Sequence, residues 1–147
     1  MKRVDNIVER AGHAVIGVGA DPDSNVSGFG YTVGRTSKHF PELAVTGLEV
    51  ELTTKVLNWA ANLKDPPLCE PILFDPAAPQ FKFMLLPIPA SVALSTFTIA
   101  RAKYGDDFEM LQVVWPDTKG AWPWDGAYDS EAFPQQIYSS DTKKEMN

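Results

Sequence analysis

The stretch that decides the fold is GFGYTVGRTSKHFPELAVT, residues 28–46. Bulky side chains alternate with glycine and threonine over residues 28–35, and this period of two predicts a strand with one bulky and one nearly bare face. A turn follows at residues 38–41, and the run at 42–46 predicts a second strand. Consecutive strands with so short a connection favour antiparallel pairing, so this stretch predicts an antiparallel sheet.

Hydrophobic periodicity on either side of this stretch predicts the remaining elements. Apolar residues at helical spacing predict a short N-terminal helix at 4–11 and two main helices further along. Two strand candidates are apolar on both sides, which predicts adjacent interior strands, because an edge strand would expose that surface. The main helices are predicted at residues 50–64 and 89–104, and the further strands at 13–18, 71–74, 81–88 and 109–114, the last two being the interior pair.

The order of these elements, α-β-β-β-α-β-β-α-β, predicts an α+β fold rather than a doubly wound sheet. We expect a single, mostly antiparallel sheet with its helices gathered largely on one face and a long aromatic C-terminal loop. A chain of 147 residues has the length of one domain. We therefore expect a single domain over residues 1–138 and a flexible polar tail at 139–147, whose removal changes stability little.

The composition disfavours several classes of protein. The net charge is −6 and the 13 basic residues are scattered, which opposes binding to a phosphate backbone and makes nucleic acid an unexpected partner. The N-terminus lacks the apolar core of a signal peptide, and no apolar run reaches the ~18–20 residues that cross a bilayer. Cys69 is the single cysteine, so no intrachain disulfide can form. We expect a cytoplasmic protein that does not bind membranes.

Familiar site motifs are incomplete in this sequence. Gly17 and Gly19 form a G-x-G after a predicted strand, but Pro22 occupies the place of the third glycine of a dinucleotide site. His13 and His39 are the only histidines, and with a single cysteine they cannot supply a structural zinc site. We therefore expect neither a metal ion nor a cofactor.

The tryptophan loop, residues 115–125, reads WPDTKGAWPWD and holds three of the four tryptophans. In one interpretation the indoles cover the sheet as a lid, with Asp117 capping a turn. In the other they line a concave site, where Asp117 and Asp125 supply polar specificity. The structural interpretation is favoured, because a small domain has few other ways to cover a sheet end. We predict that the loop folds over the glycine-bearing face of residues 28–34.

Several elements of the sequence form a pattern in combination, namely Gly12-His13, Phe29-Gly30-Tyr31-Thr32-Val33-Gly34, Pro41-Glu42-Leu43, Thr46-Gly47-Leu48, and Trp115-Pro116-Asp117 running into Trp122-Pro123-Trp124-Asp125. This pattern resembles the bacterial family known as domain of unknown function 4262, over most of the chain. Arg35 departs from it, since leucine is frequent at that position. The family is common in actinobacteria and occurs in their phages, so the resemblance implies such an origin and no particular activity.

Two hypotheses of function remain. The first is a non-enzymatic binding or interaction protein with a protein partner or self-association, such as a phage accessory protein acting on a host component. The second is a small-molecule-binding protein or hydrolase-like enzyme with its site under the tryptophan loop. In an enzyme, Glu42 or Asp117 would be the general base and His13 or His39 its partner, so these groups would have to converge on one pocket. The ligand-binding candidates are Tyr31, Thr32, Trp115, Asp117, Trp122 and Trp124.

Overall fold

A computed structural model describes residues 13–19, 28–74 and 82–138 of the chain. The strands and helices in chain order are β1 (Ala14–Val18), β2 (Phe29–Val33), β3 (Glu42–Thr46), α1 (Val50–Ala61), β4 (Pro71–Leu73), β5 (Lys82–Pro87), α2 (Ala90–Thr96), α3 (Thr98–Tyr104) and β6 (Met110–Val114). A 3₁₀ turn at Thr36–Lys38 connects β2 to β3. The predicted helix at 4–11 and the predicted tail at 139–147 lie outside the described residues.

The six strands form one sheet in the order β1-β2-β3-β6-β5-β4. Strands β1, β2 and β3 make an antiparallel half, and β4, β5 and β6 make another. The halves meet where β3 pairs parallel with β6, with Leu43 opposite Leu111. The α+β fold is therefore confirmed, and the sheet is mixed. Its parallel pair arises because the chain leaves β3 through α1, builds the far half and returns to the centre.

The two strands expected to be interior neighbours occupy those positions. Strand β5 pairs antiparallel with β6 in the middle of the sheet, with Leu85 opposite Val113. Their apolar residues are covered on both faces, as the uninterrupted apolar run over β5 indicates. The helix predicted at 89–104 is instead two short helices, because the buried residue Phe97 adopts a non-helical ψ of 74° between them.

The helices cover opposite faces of the sheet, and the expectation that they gather on one face is wrong. Helix α1 packs on Leu43 and Val45, which point to one side of β3. Helices α2 and α3 pack on the other side, where Ala44 and Tyr31 contribute to a separate cluster. All five residues of β3 are buried. A strand whose residues are apolar on both faces must be covered on both. Helix α1 covers one face, and helices α2 and α3 cover the other.

The chain after β6 covers the part of the second face that the helices leave open. Trp124 packs against Met84, Leu86 and Val114, and Tyr138 packs edge-on against Phe97 at a centroid distance of 5.7 Å. This segment has neither helix nor strand, yet it forms the third layer of the fold beside α2 and α3.

Candidate functional site

The two acidic candidates, Glu42 and Asp117, lie at opposite ends of the parallel pair at the centre of the sheet. Glu42 opens β3 opposite Met110, the first residue of β6. Asp117 follows the last residues of β6, beyond the other end of the same parallel pair. The length of β3 alone separates the two ends by roughly 13 Å, at about 3.3 Å per residue. The acidic candidates therefore do not converge on one pocket, which was the requirement of the enzyme hypothesis.

Glu42 is fully buried, and its carboxylate is completely engaged. It accepts hydrogen bonds from the hydroxyl groups of Thr32 at 2.8 Å and Thr36 at 2.6 Å. It also accepts from the main-chain amides of Gly34, Arg35 and Thr36, at 3.3, 3.3 and 2.7 Å. These donors wrap the turn between β2 and β3 around the charge. Glu42 therefore organises the turn, and it has no free oxygen lone pair directed at a substrate.

Thr32 and Tyr31 serve the fold in a similar way. The Thr32 hydroxyl accepts a hydrogen bond from the amide of Leu43 at 2.9 Å while donating to Glu42. The buried Tyr31 hydroxyl accepts from the amide of Ile99 in the first turn of α3, at 3.1 Å. Burial raises the pKa of Tyr31, although its hydrogen bonds to Ile99 and Thr98 oppose that shift. Neither side chain lies on an open surface where a ligand could reach it.

The two histidines lie before β1 and at the end of the 3₁₀ turn. His13 precedes β1, and its Nε2 lies 2.8 Å from Oδ1 of Asn58 on α1. His39 is exposed and adopts a left-handed φ of 66° at the end of the 3₁₀ turn. Within the described part of the chain, no hydrogen bond or ion pair joins either histidine to Glu42 or Asp117. The geometry thus assembles no acid–base pair from the four candidates.

Asp117 caps a turn, as one interpretation of the tryptophan loop predicted. Its Oδ1 accepts from the amides of Lys119 and Ala121, both at 2.9 Å, and its Oδ2 accepts from the amide of Asp129 at 3.2 Å. Burial raises the pKa of Asp117, but the hydrogen bonds from Ala121, Asp129 and Lys119 outweigh it and hold the pKa below its usual value. The carboxylate is thereby stabilised in its charged form as an anchor for the loop.

Trp115 locks the loop to the end of β3. Its indole N–H donates to the carbonyl oxygen of Thr46 at 2.9 Å, and its ring packs against Phe133. The Gln135 side chain brackets the Trp115 backbone, accepting from the amide at 3.0 Å and donating to the carbonyl at 2.7 Å. Gly47 lies against this loop: a Cβ at this position would collide with the Pro134 carbonyl and touch the Trp115 ring. The indole therefore completes the core.

Trp122 and Trp124 stack on each other at a centroid distance of 5.7 Å and an interplanar angle of 6°. Both belong to the cluster that covers β5 and β6 on the second face. The prediction that the loop covers the bare face of residues 28–34 is wrong. Thr53 and Leu57 of α1 occupy the space beside Gly30 instead, because α1 follows β3 directly and lies back across the neighbouring strand.

A cleft of about 550 Å³ opens at the Glu42 end of the sheet. We call it the Phe40–Leu68 cleft after two exposed apolar residues on its wall, 53% and 46% exposed respectively. The C-terminal end of α1, the start of α2 and the loops around residues 63–68 and 108–109 surround it. Its charged lining residues are Arg35, Asp65 and Glu109, and its buried apolar ones include Leu43, Leu85 and Met110.

Arg35 is held firmly at the wall of this cleft. Its Nε donates to the carbonyl of Pro41 at 2.8 Å and its Nη1 to the carbonyl of Ala61 at 3.0 Å, while the guanidinium lies 5.3 Å from the centroid of the Phe40 ring. Burial lowers the pKa of Arg35, and the charge of Glu42 opposes that shift. The cation thus sits at the C-terminal end of α1, where the helix dipole favours it.

A smaller hollow of about 290 Å³ lies under the tryptophan loop at the opposite end. Trp115, Phe83 and Phe133 line it with residues at the start of α1, and Asp117 lies on its wall. Of the six ligand-binding candidates, only Trp115 and Asp117 line this hollow. Their polar atoms are already bonded to the protein, as described above. The hollow therefore offers apolar surface and few free polar groups.

The described ranges contain no cluster of three or more His, Cys, Asp or Glu side chains arranged to hold a metal ion. No helix within the same ranges is long and apolar enough to span a bilayer.

The family model described as a domain of unknown function, DUF4262, matches residues 7–129. The chain belongs to this family. No curated protein and no solved structure matches the chain. The match covers the whole sheet and the tryptophan loop, which contain the elements that suggested the family in the sequence. The family description assigns no activity and no ligand.

Sequence reasoning missed the residues of the Phe40–Leu68 cleft. Arg35 was noticed only because leucine is frequent at its position in the family. Phe40, Leu68 and Phe108 lie in connecting segments, where no periodicity groups them. A usable signal existed in the apolar residues of these loops, since large apolar side chains in connections between elements need a surface to pack on.

Proposed function

We propose that this chain is a ligand-binding domain and that the Phe40–Leu68 cleft is its binding site. The observation that carries the proposal is the combination of size and lining. A volume of about 550 Å³ falls in the range of small-molecule sites, roughly 300–1,000 Å³. The lining is predominantly apolar, with a few charged groups, which is the usual make-up of such a site.

The state of the acidic and histidine side chains supports binding over catalysis. A general base needs an accessible lone pair within reach of its substrate. The Glu42 carboxylate accepts hydrogen bonds from five donors of its own turn. The Asp117 carboxylate accepts hydrogen bonds from three main-chain amides. His13 and His39 pair with neither. The hydrolase-like alternative under the tryptophan loop thus has no support from the geometry there.

A neutral apolar fluorophore tests the proposal, since no natural ligand has to be known. N-phenyl-1-naphthylamine, titrated against the folded protein, should show saturable enhancement of fluorescence. Leu68→Asp should weaken its binding roughly tenfold or more, because a charge then lines an apolar site. Leu73→Asp is the matched control: Leu73 is 41% exposed on β4 and lies outside the cleft. Equal affinity of both variants would contradict the proposal.

A protein partner is the second candidate function, and it has separate support at the start of α1. Val50 is 80% exposed and Leu52 is 39% exposed, two large apolar side chains within one turn. Such neighbours on a surface mark contact sites for other proteins or for a second copy of the chain. If the contact is self-association, sedimentation at increasing concentration should show dimers that Val50→Asp abolishes; a monomer at every concentration would exclude that form of it. The role of a phage accessory protein stays a prediction.

A further inference from the structure

We infer that the ligand of the Phe40–Leu68 cleft is an apolar molecule with a single carboxylate, and that Arg35 binds this carboxylate. The inference rests on the proposed function and specifies its ligand class.

The hydrogen bonds of Arg35 leave part of its guanidinium available. An arginine carries five N–H donors, and Arg35 uses two of them, on Nε and Nη1, for the carbonyls of Pro41 and Ala61. The other three have no acceptor among the described residues. Both acceptors in use are neutral, so no carboxylate of the described chain forms an ion pair with this cation.

Glu42 does not fill that role, although its charge lies near Arg35. Its two oxygens are occupied by the hydroxyls and amides of the turn, and its contact with Arg35 is through the main-chain amide. The turn therefore satisfies the buried carboxylate and fixes the backbone of Arg35 at the same time. A cation that is held in place before the ligand arrives binds with less loss of side-chain freedom.

The chemistry of the free donors selects the ligand group. Planar guanidinium N–H groups match the two oxygens of a carboxylate, and such charge-assisted pairs are stronger than neutral hydrogen bonds. Half-burial of Arg35 strengthens the pairing further, because the surrounding dielectric is lower than that of water. The apolar lining of Leu43, Leu85 and Met110 then accommodates the remainder of the ligand.

The acidic residues of the cleft limit the ligand to one carboxylate. Asp65 and Glu109 are both exposed lining residues. Exposed charges are screened by water and salt, so they weaken the binding of one anion at Arg35 only modestly. A second anionic group on the ligand would lack a cation of its own and would face these carboxylates. The same two residues would favour a ligand amine, which makes an amine the necessary comparison.

Isothermal titration with four eight-carbon probes tests the ligand class: octanoate, 1-octanol, octylamine and octanedioate. Octanoate should bind at least roughly fivefold more tightly than each of the others. Arg35→Gln should remove this preference, and Asp65→Asn should increase octanoate affinity about twofold. A preference for octylamine, or equal binding of octanoate and octanol, would overturn the inference.

The fluorophore separates this inference from the proposed function. Arg35→Gln could loosen the turn, so its affinity for neutral N-phenyl-1-naphthylamine is measured alongside. Retained fluorophore binding with a lost octanoate preference supports carboxylate recognition by Arg35. If Leu68→Asp weakens the fluorophore but octanoate has no preference over octanol, the cleft is a binding site and only the carboxylate assignment fails. If Leu68→Asp leaves the affinity for the fluorophore unchanged, the proposed function itself fails. Should Arg35→Gln lose fluorophore binding as well, the comparison of octanoate with 1-octanol in the natural protein decides, and equal binding there overturns the inference.

Discussion

The indole N–H of Trp115 donates to the carbonyl oxygen of Thr46, 69 residues earlier in the chain, over 2.9 Å. This bond joins the C-terminal ends of β3 and β6, the parallel strands at the centre of the sheet. The backbone pairing of β3 with β6 stops before Thr46, so it does not link the C-terminal ends of the two strands. The tryptophan loop is thereby a structural continuation of the sheet.

Replacing Trp115 with alanine should destabilise the protein by roughly 3–5 kcal/mol, the usual cost of truncating a buried aromatic side chain. The substitution removes the packing against Phe133 and leaves the Thr46 carbonyl without its donor. Trp122→Ala is the comparison and should cost less, because Trp122 is only partly buried. Urea denaturation measures both. A near-native midpoint for Trp115→Ala would show that the loop is not structural.

The Glu42 turn gives a second prediction. Glu42→Gln should cost about 3 kcal/mol, since hydrogen bonds to a charged group are lost and an amide NH₂ is turned toward amide donors in a buried site. Amide exchange at Thr36, which donates to Glu42 at 2.7 Å, should accelerate in parallel. Glu49→Gln is a matched control: Glu49 is exposed and caps α1 without a side-chain hydrogen bond. Equal stability of the two variants would contradict the assigned role of Glu42.

Two glycines with positive φ separate backbone strain from steric conflict. Gly47 has a φ of 79°, and Gly105 has a φ of 66° with a ψ of −132°, so alanine is strained by the positive φ at either position, at a cost of roughly 1–3 kcal/mol. At Gly47 the new methyl group would also collide with the Pro134 carbonyl and touch the Trp115 ring, whereas nothing lies near Gly105. Gly47→Ala should therefore lower the free energy of unfolding by at least about 1 kcal/mol more than Gly105→Ala. Equal losses in chemical denaturation would mean that the loop moves aside at no cost.

The sequence was informative wherever periodicity reports burial directly. The run over β5 is apolar on both sides, so its interior position followed from the pattern. The same apolar pattern implies that both faces of the sheet are covered. The prediction that the helices gather on one face did not take this into account. The five buried residues of β3 make the point most clearly, because alternate side chains of one strand supply two different clusters.

The placement of the tryptophan loop could not be read from the sequence. A tryptophan ring does lie against a glycine, as predicted, but the glycine is Gly47 and not Gly30. The choice depends on the parallel pairing of β3 with β6, which places the residue after β3 beside the residue after β6. Strand order is a long-range property, and neither segment encodes it locally. The residues of the Phe40–Leu68 cleft come together for the same reason, from loops that the strand order makes neighbours.

The dependence of stability on pH supplies the last prediction, through Asp117. The pKa of Asp117 in the folded protein lies below the ordinary value of an aspartate, because three backbone amides stabilise the charged form. A group whose pKa is depressed on folding contributes stability that is fully present above the unfolded pKa and is lost as the pH falls through the folded pKa. Asp117 should therefore stabilise the protein fully at neutral pH and progressively less once the pH drops below about 4.

Asp117→Asn tests this dependence, because asparagine retains one carbonyl acceptor and cannot titrate. The difference in unfolding free energy between the natural protein and this variant should be largest at neutral pH and should shrink as the pH falls below about 4. Asp125→Asn is the comparison: Asp125 is exposed and accepts a single amide hydrogen bond, from Trp122. Its difference should be smaller at every pH. A difference for Asp117→Asn that stays constant down to the acid transition would show that the three amides do not favour the charged carboxylate over the neutral one.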